Sequence, residues 1–133
     1  MIRLLTLIIT IYISFKNCLL AGGISALDLY QNCKNYHDWV ANDFRYPVDA
    51  QILFNMGKCK GIIETTGKTM LTLCYEKKRN LNVSNKMTAN LKNIKTLTIV
   101  KYFVEHANKD PSIRRHEGHL YLMEFISKKW PCS

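Results

Sequence analysis

The sequence has no alternating strand of useful length, no internal repeat and no low-complexity tract, which sets aside sheet, solenoid and disordered classes. No two of its cysteines lie two to four residues apart, the spacing of metal knuckles, so a zinc site is not expected. No run of Lys and Arg exceeds three, the longest being Lys77–Arg79, and this weakens a nucleic-acid reading despite a net charge of +9. The longest apolar run, Leu4 to Phe15, is too short for a membrane span, which takes ~20 residues. With 133 residues, 47% hydrophobic and 22% charged, what remains is one ordinary globular core.

That apolar run follows Arg3 and precedes the small residues of "LLAGGISA", Leu19 to Ala26, the layout of a signal peptide. Cleavage after Gly23, Ser25 or Ala26 fits, with Ala26 the first choice, so residues 1–26 are expected to leave and 27–133 to form a single domain. Lipid attachment at Cys18 fits badly, because Lys16 and Asn17 stand just ahead of it. Export removes Arg3 and Lys16, leaving 17 basic against 10 acidic residues, and removes Cys18, leaving four cysteines. An even count in an exported chain reads as disulfides.

Apolar residues recur at helical spacing almost throughout. Leu27, Tyr30, Cys33, His37, Val40, Ala41 and Phe44 predict a first helix over 27–44. Pro47 then opens a second helix over 49–74 with the stripe Ile52, Met56, Cys59, Ile63, Thr66, Met70 and Cys74. Gly57, Gly61 and Gly67 lie inside it, each costing about 1 kcal/mol against alanine, so close approach of a neighbouring helix is expected. "YEKKRNLNVSNKMTANLKN", from Tyr75 to Asn93, reads as a long exposed loop. Its sequon Asn82-Val83-Ser84 would carry a glycan only in a eukaryotic secretory pathway, for which nothing else argues. Leu91, Ile94, Leu97, Val100, Val104 and Ala107 predict a third helix. Asp110 and Pro111 then open a fourth, with Ile113, Leu120, Met123, Ile126 and Trp130 on its inner face. The expected fold is all-α: four helices, mainly antiparallel, around one core.

Four cysteines allow three pairings. Cys59 and Cys74, fifteen residues apart on one helix, lie ~22 Å apart along its axis, beyond the ~7 Å a disulfide tolerates between Cα atoms. Antiparallel packing sets Cys33 beside the first half of the second helix and brings Cys132 to the end that holds Cys74. The predicted pairs are Cys33–Cys59 and Cys74–Cys132.

The chain resembles the immunity proteins that guard against amidases of type VI secretion, small exported helical proteins with an early helix ending in Cys. Four features carry the likeness: that early Cys; "CKGII" from Cys59 to Ile63 with Cys74 ending the same helix; "VKYFVEH" from Val100 to His106; and "WPC" from Trp130 to Cys132. It covers the chain from about Asp28 onward. Departures are Ile62 where that family often has Tyr, Thr65 where it has a second Gly, and a longer loop after Cys74. The resemblance implies a periplasmic protein of a Gram-negative bacterium. Its partner would be a protein toxin, a peptidoglycan amidase whose cleft it blocks. Members of that family can be dimers, so a homodimer belongs to the expectation. No cofactor, nucleic acid or stable membrane insertion after cleavage is expected. The enlarged basic loop, with Lys77, Lys78, Arg79, Asn82, Asn85 and Lys86, is the expected binding surface. A periplasmic chaperone or envelope-binding factor of the same fold is the alternative.

Catalysis is not expected. "HEGH" sets His116 and His119 three apart, one residue short of the His-Glu-x-x-His zinc pattern, and reads as a solvated helix start. His106 suits a helix C-terminus. His37 and Asp38 neighbour Cys33, which as half of a disulfide is no nucleophile. Tyr36, Trp39 and Phe44 are expected in the core or lining a groove.

Overall fold

A computed structural model describes residues 23–45 and 47–133. The signal-peptide reading therefore lies outside the described residues except for Gly23 to Ala26. Within them the chain forms four α-helices, α1 (Ala26–Ala41), α2 (Ala50–Lys78), α3 (Thr96–Ala107) and α4 (Gly118–Lys129), with two short 3-10 turns, Asn85–Met87 and Ile113–Arg115. No strand occurs among the described residues, only an isolated bridge between Ser25 and Glu117.

Each helix begins where chemistry can satisfy its first free N–H groups, except α3, whose N-cap Lys95 makes no side-chain capping bond. Ser25 caps α1, its Oγ accepting from the Asp28 N–H at 3.1 Å, and Asp28 adds an acidic charge to the first turn. Asp49 caps α2 in the same way, accepting from the Ile52 N–H at 2.8 Å. Glu117 caps α4 with both oxygens, accepting from His119 and Leu120 at 3.0 and 2.8 Å.

Several boundaries differ from the periodicity reading. Helix α1 stops at Ala41 because Asn42 donates its side-chain amide to the Asp38 carbonyl and Asp43 and Phe44 turn left-handed, at φ 53° and 60°. Phe44 then folds back edge-on to Trp39, ring centroids 4.6 Å apart, and stays 57% exposed. Helix α2 runs one turn past Cys74, since "YEKK" contains only adequate helix formers and Lys77 and Lys78 suit the negative end of the helix dipole. The third helix begins at Thr96, so Leu91 and Ile94 belong to the preceding connection. Its buried residues are Ile99, Val100, Phe103, Val104 and Ala107, while Leu97 points outward. Pro111 opens a 3-10 turn rather than a helix, and α4 waits for Glu117. It buries Tyr121, Leu122, Phe125 and Ile126 and leaves Leu120 68% exposed.

The core joins all four helices. Leu29 of α1, Ile63 and Met70 of α2, Phe103 of α3 and Leu122 of α4 are wholly out of solvent. Phe103 packs edge-on against Tyr121 and Phe125, at centroid distances of 6.1 and 5.8 Å. The connection after α2 is drawn into this core too: Thr88, Ala89 and Leu91 are buried, which corrects the picture of a wholly exposed loop.

Both disulfides join the pairs derived from helix geometry. Cys33 and Cys59 tie α1 to α2 with Cα atoms 5.1 Å apart, and both residues are fully buried. Cys74 and Cys132 tie α2 to the chain end, Cα atoms 5.7 Å apart. No helix among the described residues is long and apolar enough to cross a membrane.

Candidate partner-binding surfaces

The basic residues singled out from sequence lie where α2 ends and the chain turns. Lys77 and Lys78 form the last helical turn, and Arg79 is its C-cap, paired with Glu76 at 3.5 Å. Asn80 turns left-handed at φ 74°, so the chain reverses there and exposes Leu81 and Asn82. Asn85 and Lys86 lie in the 3-10 turn capped by Ser84. The fold brings Lys77 and Asn85 together, the ammonium donating to the amide oxygen. Tyr75, Leu81 and Met87, 46%, 55% and 45% exposed, stand among these charges. Sequence reasoning marked the charges and passed over the three apolar side chains; their isolation in a polar stretch was the available signal.

Past the 3-10 turn the segment is held by backbone and packing. The Ala89 N–H donates to the Met70 carbonyl at 3.2 Å, and the Asn90 N–H donates to the Trp130 carbonyl at 3.0 Å. Gly67 explains the fit, since a Cβ there would come 3.3 Å from Leu91 Cδ1 and 3.5 Å from Ile99 Cδ1. For this glycine the expectation of close packing holds. For Gly57 and Gly61 it does not: a Cβ at either would meet nothing within 4 Å.

Gly61 instead opens one wall of an apolar groove of about 330 Å³ between α2 and α4. Ile62, Thr65, Thr69 and Met70 line it from α2, His119 and Met123 from α4. No short motif encodes it, because its two walls come from segments far apart in the chain, residues 61–70 and 119–123.

A second cavity, of about 270 Å³, gathers polar groups from α3, α4 and the turn between them, among them His106, Asp110, Ser112 and His116. Asp110 Oδ1 accepts from the Ser112 hydroxyl and N–H at 2.7 and 2.8 Å, and Oδ2 accepts from the Tyr121 hydroxyl at 2.8 Å. These bonds, the Ser112 hydroxyl foremost, hold the Asp110 carboxyl at about 2 against an ordinary 3.8. His116 Nε2 lies 3.2 Å from the same Ser112 hydroxyl, and His106 stacks on Phe125 at 5.0 Å. The serine, histidine and aspartate do not form a relay: Asp110 bonds the serine and the tyrosine, not the imidazole. His37 sits beside Asp38 at 3.3 Å, and Cys33 is in its disulfide. Among the described residues no group of three or more His, Cys, Asp or Glu could hold a metal ion.

The chain matches no protein-family model, no curated protein and no solved structure. Fold and surface alone define its class, an all-α domain stapled by two disulfides.

Proposed function

We propose that this chain is an exported, non-enzymatic immunity protein that binds a peptidoglycan amidase toxin delivered by type VI secretion and blocks its cleft. The observation that carries the reading is the stretch from the last turn of α2 through the connection after it, where Tyr75, Leu81 and Met87 are exposed close in the chain to Lys77, Lys78, Arg79 and Lys86, and which is anchored to the core at Ala89. Exposed apolar side chains interspersed with charges are the kind of residues a protein interface uses. Two disulfides fit an oxidising compartment, and a cross-linked scaffold holds the turn in one shape before the partner arrives. The residues that carry the family resemblance belong to the scaffold and not to this surface. Cys59, Val100, Phe103 and Val104 are buried, and Cys132 is bonded.

Capture tests this reading. The oxidised protein, mixed with the exported Cys-His amidase expected from the neighbouring gene, should bind it at nanomolar affinity and stop peptidoglycan hydrolysis. An amidase that stays free, or is bound yet active, removes the immunity reading. The groove between α2 and α4 favours the alternative, a periplasmic chaperone, which would instead hold unrelated unfolded chains.

A further inference from the structure

The three bonds offered by sequence as cleavage points differ sharply in what each would remove. Ala26 is fully buried and its N–H donates to the His116 carbonyl at 3.0 Å. Ser25 caps α1 and bridges Glu117. The Ile24 carbonyl accepts from the Gly118 N–H at 2.8 Å. A cut after Ala26 or Ser25 would discard contacts that fasten the start of α1 to the start of α4. A cut after Gly23 keeps them all. It also gives the peptidase the small residues it needs, Ala21 and Gly23 in the A-x-A-like arrangement.

Gly23 is exposed, and a Cβ on it would lie 2.9 Å from Glu117 Oε1. The carboxylate therefore rests against the Cα of Gly23, two bonds from the nitrogen of Ile24. We propose that the Gly23–Ile24 bond is the maturation site and that the ammonium it releases on Ile24 pairs with the Glu117 carboxylate. Water supplies the hydroxyl that ends the leader at Gly23 and the proton that makes the amine, which a second proton charges at neutral pH. Cleavage thereby places a cation against the residue that caps α4, coupling maturation to the helix α1 packs on. The inference rests on the reading that the chain is exported.

Intact mass of the protein recovered from the periplasm of a Gram-negative host tests the site. The expected chain runs from Ile24 to Ser133 with two disulfides. A start at Ala26 or Leu27 overturns the site and leaves export standing; an uncut chain in the cytosol overturns both. The ion pair is tested on that mature protein, before and after selective acetylation of its α-amine. Glu117→Gln, which keeps a capping acceptor, should lower Tm by about 4 °C with the amine free and by no more than about 1 °C once it is acetylated. Equal losses in the two forms overturn the pair.

Discussion

The Tyr121 hydroxyl donates to Asp110 Oδ2 at 2.8 Å, tying the first turn of α4 to the residue that ends the turn after α3. The bond shifts both partners. Asp110 is lowered to about 2, by the Ser112 hydroxyl first, then the Ser112 N–H, then Tyr121. Tyr121 is pushed well above its ordinary 10.0, by burial first and then by Asp110. Between about pH 4 and 2 the unfolded chain binds a proton that the folded chain refuses, so stability is lost on acidification through that window. Tyr121 keeps its proton in the fold, so its contribution is present below about pH 10 and is lost as pH rises beyond it. Denaturant midpoints across both ranges should fall at each end for the native protein; Asp110→Asn should remove the acid limb and reduce the alkaline one without abolishing it, since the burial of Tyr121 remains.

Gly118 has no room for a side chain, as a Cβ there would stand 2.6 Å from the Ile24 carbonyl oxygen and 3.1 Å from that of Ser25. Both obstacles are backbone, so the helix start must move. Gly118→Ala should destabilise the protein by about 1–3 kcal/mol in urea titration, although alanine is the better helix former.

The open glycines of α2 behave oppositely. Gly61→Ala meets nothing and should stabilise by up to about 1 kcal/mol. Gly67→Ala gains the same propensity but presses Leu91 and Ile99, so its net change should fall well short of that of Gly61→Ala in the same titration.

Differential alkylation should separate the two disulfides. Cys33 and Cys59 are wholly out of solvent, whereas Cys132 is half-buried at the chain end. Under mild reductant the first cysteines labelled should be Cys74 and Cys132. Replacing that pair with alanines should cost about 4 kcal/mol on the loop-closure model, from the 58 residues it spans. Labelling of Cys33 before Cys132 would contradict this order.

Charge reversal at the turn probes the partner surface. If the proposed immunity function holds, Lys78→Glu and Arg79→Glu should weaken capture of the amidase at least tenfold, about 1.4 kcal/mol, with far-ultraviolet circular dichroism unchanged. Unchanged affinity would move the interface elsewhere, and Leu81→Ala and Met87→Ala would then also bind normally.

The four helices and both cross-links were legible because burial at intervals of three and four is a strong signal, and because Cys59 and Cys74 on one helix cannot meet. Helix ends were less so. Tyr75 to Lys78 remain helical although their apolar rhythm has stopped, since a helix held by its buried part can project beyond the core. Leu91 and Ile94 carry the rhythm of α3 without being in it; they are covered because the connection folds back. In α4 the aromatic residues Tyr121 and Phe125 took the buried face from Leu120, a choice set by Phe103 across the core. Of the candidate surfaces, only the charged half of the turn could be read locally. The groove and the junction of Ile24 with Gly118 join distant segments, and only a mid-helix Gly61 hinted at the first.

The cross-links also fix how the molecule would carry load. Pulled by its two ends, the oxidised chain passes tension from α1 through Cys33–Cys59, along α2 to Cys74, and out through Cys132. Helices α3 and α4 lie inside the loop closed by Cys74–Cys132 and are off the covalent path, so a motor threading this protein could extend only short flanks and one helical stretch until one of the bonds was cut, each cut releasing its own loop.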